Sequence, residues 1–84
     1  MYRINWSSRA KKQLRKVDRQ AQVSIIDAVG QLVTFPSAKN VIALTKHEFG
    51  YRMRVGNYRV LFDADTEVRI IEVQQVKKRD ENTY

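Results

Sequence analysis

Arg52, Arg54 and Arg59 are the residues of this chain best suited to chemistry, and their spacing decides what that chemistry can be. They sit in YRMRVGNYRVLF, residues 51–62, where apolar and basic residues alternate on both sides of Gly56-Asn57. That dipeptide suits a two-residue II′ hairpin turn. Such a turn places Val55 opposite Tyr58, Met53 opposite Val60 and Tyr51 opposite Phe62. Strand side chains alternate faces, so the three arginines then share the other face. The segment holds no acidic residue to neutralise them, and like charges across a strand pair are destabilising. A basic strand can serve solubility alone, but three guanidinium forks on one patch fit an anion better. Phosphate matches them in bidentate geometry.

A second basic group, Lys77, Lys78 and Arg79, follows a predicted last strand. In an antiparallel meander the end of that strand lies near the hairpin, so the two groups can converge. Convergent cations without a metal suit cleavage of RNA, which carries its own nucleophile in the 2′-hydroxyl. The protein then orients the phosphate and stabilises charge on the pentacoordinate transition state. Arginine does both but is a poor general acid or base. Other enzyme classes lack their residues. The single histidine, His47, excludes HExxH and histidine-cluster metal sites, and the absence of cysteine excludes thiol catalysis and thiolate ligands. There is no GxxxxGK[ST] or GxGxxG pattern. Asp63 and Asp65 flank a predicted turn, where aspartate serves local hydrogen bonding. No cofactor and no metal are expected.

Charge points the same way. A net charge of +7 over 84 residues favours polyanions: nucleic acid, an anionic membrane surface or an acidic protein. A membrane-surface role needs a basic helix backed by bulky apolar residues, and the most basic helix here lacks them. No apolar run approaches the ~18 residues of a membrane span, and the N-terminus has no signal-peptide core. A cytoplasmic location without membrane contact is expected. With 43% hydrophobic residues, the chain can bury a core as one domain, residues 1–84.

The elements that position these groups read as follows. Residues 2–6 alternate as a first strand, and Ser7 and Ser8 offer N-caps for a helix starting near Arg9. Ala10, Leu14, Val17 and Ala21 form its apolar stripe. Arg9, Lys11, Lys12, Arg15, Lys16 and Arg19 fill the rest, as a solvated face that adds to the attraction of a polyanion. A second helix is predicted over residues 19–33, with Ile25, Ile26, Val29, Leu32 and Val33 clustered; Phe35-Pro36 ends it. Residues 37–50 read as irregular. The hairpin follows, then a turn at residues 63–66, a last strand over 67–76 and a polar tail. The strand's alternation is imperfect and leaves its buried face open. The fold class is α+β, in the order β-α-α-β-β-β, an antiparallel meander packed against a helical hairpin.

That order, the hairpin YRMRVGNYRVLF and the ending VKKRDENTY together resemble the RelE/ParE superfamily of bacterial toxins from toxin–antitoxin systems, in its RelE-like branch. The resemblance implies a metal-independent endoribonuclease that cleaves mRNA, as members of that branch often do in the ribosomal A site, neutralised by an acidic cognate antitoxin. It implies that Arg52 and Arg54 stand at the family's basic strand positions. Arg59 is implied as the scissile-phosphate ligand of Tyr-Arg-Val, and Arg79 as the basic residue after the last strand, with Lys78 its one-residue alternative. Tyr84 resembles a C-terminal tyrosine that stacks on a base or helps activate the 2′-hydroxyl. Lys77, Lys78 and His47 are expected to assist substrate binding, and His47 and Glu48 are candidates for proton transfer. Arginine at both 52 and 54, where a prototype member has lysines, leaves the general base open. Two rival functions stay open beside the nuclease: a ParE-type toxin of the same fold that blocks DNA gyrase, and a non-catalytic nucleic-acid-binding module.

Overall fold

The computed structural model describes residues 1–79, and its hairpin forms as the turn chemistry requires. Gly56 has φ +56°, while Asn57 is not among the positive-φ residues, the combination of a II′ turn. The turn joins β3 (Tyr51–Val55) to β4 (Tyr58–Asp65). Tyr51 faces Phe62, Met53 faces Val60, Arg54 faces Arg59 and Val55 faces Tyr58. Met53, Val60 and Phe62 are buried on one side, so the arginines take the other.

The remaining elements are β1 (Arg3–Trp6), α1 (Ser8–Arg15), α2 (Arg19–Gly30), a 3-10 turn (Gln31–Thr34), β2 (Val41–Ala43) and β5 (Ile70–Lys78). The sheet order is β1-β5-β4-β3-β2. The predicted antiparallel meander is present in β2 to β5, and β1 extends it by pairing parallel to β5. The sheet is therefore mixed and five-stranded. Residues 41–43, read as irregular, form β2 against β3.

Two boundaries move. The expected turn at residues 63–66 is displaced, because β4 continues to Asp65, and Arg69 at φ +57° leads into β5. Asp65 caps that later turn, its Oδ1 accepting from the Glu67 and Val68 amides at 3.0 and 3.2 Å. The last strand starts at Ile70 rather than Glu67 and runs to Lys78, so Lys77 and Lys78 are strand residues, not tail. The register shifts between Leu61 and Phe62: Leu61 pairs with Gln75, but Phe62 pairs with Val73. Gln74 is the extra residue of this bulge, which explains the broken alternation of β5. Ile71, Val73 and Val76 are its buried apolar residues.

The helices cover the face opposite the arginines. Ser7 Oγ accepts from the Ala10 amide at 3.0 Å, and Asp18 Oδ2 from the Ala21 amide at 3.3 Å; each caps a helix whose first amides lack partners. Ala10, Ile25, Val29 and Leu32 are buried against the sheet with Phe62, Val60 and Val73. Ile26, expected in this stripe, is 51% exposed beside Val23 at 53%. The chain uses the i, i+4, i+7 row of Ile25, Val29 and Leu32, and Ile26 lies about 100° away on the helix. The second helix is shorter than predicted, tightening into the 3-10 turn after Gly30. Phe35 closes one end of the core, edge-on to Tyr2, Tyr51 and Phe62 at centroid distances of 5.4, 5.0 and 6.1 Å.

Phe62 is fully buried, stacks on Tyr51 at 5.4 Å and lies beside the bulge. Phe62→Ala should cost ~3–5 kcal/mol, a large share of the ~5–15 kcal/mol that holds a typical domain. Urea unfolding is the check: the midpoint should fall sharply, and an unchanged midpoint would remove Phe62 from the centre of the core.

Candidate phosphate-binding site

Four arginines line one open pocket of about 270 Å³: Arg52, Arg54, Arg59 and Arg79. The first three come from β3 and β4 and share a face by register. Arg79 joins them because β5 runs beside β4, and its backbone amide donates to the Asn57 carbonyl at 2.6 Å. That bond ties the chain just past β5 to the hairpin turn, bringing a cation from sequence position 79 to those at 52–59. Arg52 and Arg59 are half-buried; Arg54 and Arg79 are exposed.

The other expected residues separate. Lys77 lies opposite Arg59 and so on the same face, but it does not line the pocket. Lys78 lies opposite Tyr58 and lines a different concavity of about 540 Å³ on the helical side, with Asp18, Ser24 and Tyr58. Strand alternation thus separates Lys78 from Arg79. His47 is exposed in the connection between β2 and β3, where its Nδ1 accepts from the Phe49 amide at 3.0 Å; it does not line the pocket. Glu48 beside it is exposed. Tyr84 lies outside the described residues.

Asp63, expected to serve a turn, fixes the start of β3. Its Oδ1 accepts from the Gly50 amide at 2.8 Å and its Oδ2 from Gln74 Nε2 at 3.3 Å. Gly50 immediately precedes the strand that carries Arg52 and Arg54, so this carboxylate helps set their position. Among the described residues no group of three His, Cys, Asp or Glu side chains could hold a metal ion. The pocket supplies charge and hydrogen-bond donors, the requirements for gripping a phosphate.

Two further residues share the arginine face. Leu61, opposite Arg52, is 7% exposed, and Gln75, opposite Leu61, is 4% exposed with no hydrogen-bond partner for its Oε1. A signal existed in the sequence: Val73-Gln74-Gln75-Val76 places two amides between two apolar residues. Without the bulge, its register could not be assigned.

The same architecture recurs in solved structures. RelE in the RelE–RelB complex from Pyrococcus horikoshii matches with a TM-score of 0.81 at 22% identity, covering 95% of this chain and 97% of that one. The isolated Escherichia coli RelE toxin matches with a TM-score of 0.81 at 18% identity, covering 99% and 89%. The RelBE2 complex of Mycobacterium tuberculosis gives 0.78 at 19% identity, covering 93% and 98%. At these identities the likeness establishes the fold. Among curated proteins none matches the chain by sequence. The family pattern described as the ParE toxin of the type II toxin–antitoxin system parDE, however, matches residues 4–83, nearly the whole chain. With the fold of RelE and that family's sequence pattern, this protein belongs to the ParE toxin family, within the RelE/ParE superfamily of toxin–antitoxin toxins.

Proposed function

We propose that this toxin is a metal-independent endoribonuclease that cuts mRNA in the ribosomal A site and so inhibits translation in the cytoplasm. One observation carries the reading: four guanidinium-bearing side chains surround a single pocket, more than a passive surface needs and well matched to a phosphodiester in its transition state. The substrate's 2′-oxygen forms a bond to phosphorus while the bond to the 5′-oxygen breaks. The 2′-proton passes to a base, and the leaving oxygen gains a proton. Arg59 contacts the scissile phosphate, with Arg79 facing it from the end of β5. Arg52 and Arg54 hold the strand and offset charge on the phosphorane. Tyr84 stacks on a substrate base or assists the 2′-hydroxyl.

A second reading, inhibition of DNA gyrase, draws support from the family description, which names ParE. It does not require convergent phosphate ligands. Monitoring mRNA integrity and DNA supercoiling in one translating extract separates the two activities.

The RelE proteins of Pyrococcus horikoshii and Mycobacterium tuberculosis were solved with RelB-type partners. For this chain, an acidic antitoxin that orders on binding would offset the charge of +7. Their association should slow steeply as salt rises, as steered encounters do. Stopped-flow association rates across ionic strength are the measurement; indifference to salt would rule out the electrostatic account.

Cleavage should leave a 2′,3′-cyclic phosphate and a 5′-hydroxyl and should survive EDTA, with ribosome integrity controlled. Loss of cleavage in EDTA and recovery with Mg²⁺ would count decisively against the mechanism. Arg59→Ala should slow single-turnover cleavage by ~10²–10³-fold, the usual loss for one preorganised donor to a transition-state anion. Arg59→Lys should recover only part, since a point charge lacks the bidentate fork. Stability should fall by no more than about 1 kcal/mol, since Arg59 is half-buried but outside the core. Cleavage by Arg59→Ala at the parent rate would sink the assignment, and a collapse in melting would make Arg59 structural.

A further inference from the structure

The arginine face changes character along its strands. At the hairpin end Arg54, Arg59 and Lys77 lie side by side across β3, β4 and β5. At the far end Asp63 lies opposite Glu72. Both carboxylates are engaged, Asp63 with Gly50 and Gln74, and Glu72 with Asn5 Nδ2 at 3.3 Å. Between the two ends runs an uncharged pair, Leu61 on β4 and Gln75 on β5, with Arg52 alongside Leu61 on β3. Phosphates of a bound strand are drawn to the first end and repelled from the second. The middle row therefore meets the uncharged part of a nucleotide.

Gln75 is the anomaly of this row. It is 4% exposed, and its Oε1 is the one buried side-chain atom among the described residues without a hydrogen-bond partner. An unpaired buried acceptor destabilises a fold, and an apolar side chain of similar length would avoid that loss. Stability does not explain the amide. Phosphate does not explain it either, because phosphate oxygens accept and the orphan oxygen needs a donor. In an RNA strand the donors are the 2′-hydroxyls and the N–H groups of the bases. Cleavage holds the reacting 2′-hydroxyl against its own phosphate, in the pocket. Gln75 lies diagonal to Arg59 across the β4–β5 pair, a backbone spacing of about 7–8 Å, and the group that spreads that far from the phosphate is the base. The terminal torsion of a glutamine is a broad two-fold rotor, so turning the amide exchanges Oε1 with Nε2, which is not stranded in this way. Leu61, 7% exposed, adjoins Gln75 and offers a flat ring an apolar surface.

We propose that Gln75 is a specificity-determining residue, whose amide reads the edge of the nucleobase next to the scissile phosphate while Leu61 lies against the ring. Oε1 accepts from a ring or exocyclic N–H of that base, and Arg59 holds the phosphate of the same nucleotide. The orphan acceptor is satisfied only in the complex, and a strand lacking a base at this position leaves it stranded. Arg52 and Arg59 flank Leu61 on this face, and drawing their side chains onto a phosphate opens the way to the pair. Base recognition therefore follows phosphate capture. The inference rests on the nuclease reading for its RNA substrate, but it concerns binding and is tested without cleavage.

The test uses the full-length toxin, freed from its antitoxin, and a single-stranded trinucleotide with a 2′-deoxy sugar at the cleavage position. Neither cleavage nor the reacting 2′-hydroxyl then contributes to binding. Its companions are the same trinucleotide with an abasic site in place of that nucleotide's base, and inorganic phosphate. Wild type should bind the complete trinucleotide about three- to tenfold more tightly than the abasic one, the worth of one hydrogen bond. Gln75→Met should bind the two alike and keep its affinity for phosphate. Arg59→Ala should lose affinity for all of them. Melting of Gln75→Met should hold or rise, because an orphan buried acceptor is removed. In isotope-labelled wild type, the Gln75 side-chain NH₂ resonances should shift with the complete trinucleotide and not with phosphate. A base-dependent gain that persists in Gln75→Met, or Gln75 resonances indifferent to the base, overturns the proposal. So does a lower melting point with phosphate affinity lost as well, which makes Gln75 a packing residue. If wild type shows the Gln75-dependent gain but cleaves no mRNA in a translating extract, the nuclease reading fails while the base subsite stands.

Discussion

The two-residue period of the β3–β4 hairpin is the constraint on which the rest of this structure depends. Met53, Val60 and Phe62 must enter the core, and the pleat then leaves Arg52, Arg54 and Arg59 no choice of face. The competing magnitudes explain why the arrangement holds. Opposed cations such as Arg54 and Arg59 repel by about 1 kcal/mol near 4 Å in a water-like medium. Burying a side chain such as Phe62 or Val60 contributes about 1.5–3 kcal/mol each. The core wins, and the charge cluster is carried at modest cost. A slip of one residue in register would bury arginines and expose the core together, so fold and site are specified by the same pattern.

The same pleat, extended to β5, shapes the remainder of the pocket. Lys77 follows Arg59, Lys78 follows Tyr58 to the other side, and Arg79 comes back. The bulge at Leu61/Phe62 makes this possible. Without one extra residue in β5, its apolar residues on the two sides of the bulge could not both face the helices. Buried Val73 and Val76, three positions apart, record the shift.

Local signals made the hairpin, the cap of the first helix and the α+β class legible. Gly56-Asn57 and Ser7 act through contacts a few residues away, and that range is what a sequence displays directly; Asp18, which caps the second helix through an equally local contact, was not read from it. The misses share a different cause. β2 is a three-residue edge strand whose Ile42 and Ala43 are exposed, so it has no burial pattern to read. The parallel pairing of β1 with β5 joins positions 67 apart, Arg3 with Ile70, and no short-range feature encodes it. Asp63 has turn composition but spends its carboxylate on Gly50, thirteen residues away. At the site, the three hairpin arginines could be grouped from spacing alone. The choice of Arg79 over Lys78 required knowing that β5 keeps alternating through residue 78.

A pocket lined by arginines is well equipped for two tasks and poorly for a third. It can orient a phosphate and offset charge on it, but a guanidinium group is a poor proton acceptor. RNA cleavage through the 2′-hydroxyl is tolerant of such a division, because the nucleophile is already attached to the substrate. Its rate then depends strongly on whether the strand is held with the 2′-oxygen in line with the bond to be broken, an orientation worth several kcal/mol when supplied in advance. The hairpin face is suited to gripping a phosphate, but orienting the strand around that phosphate asks for further groups beyond the four arginines.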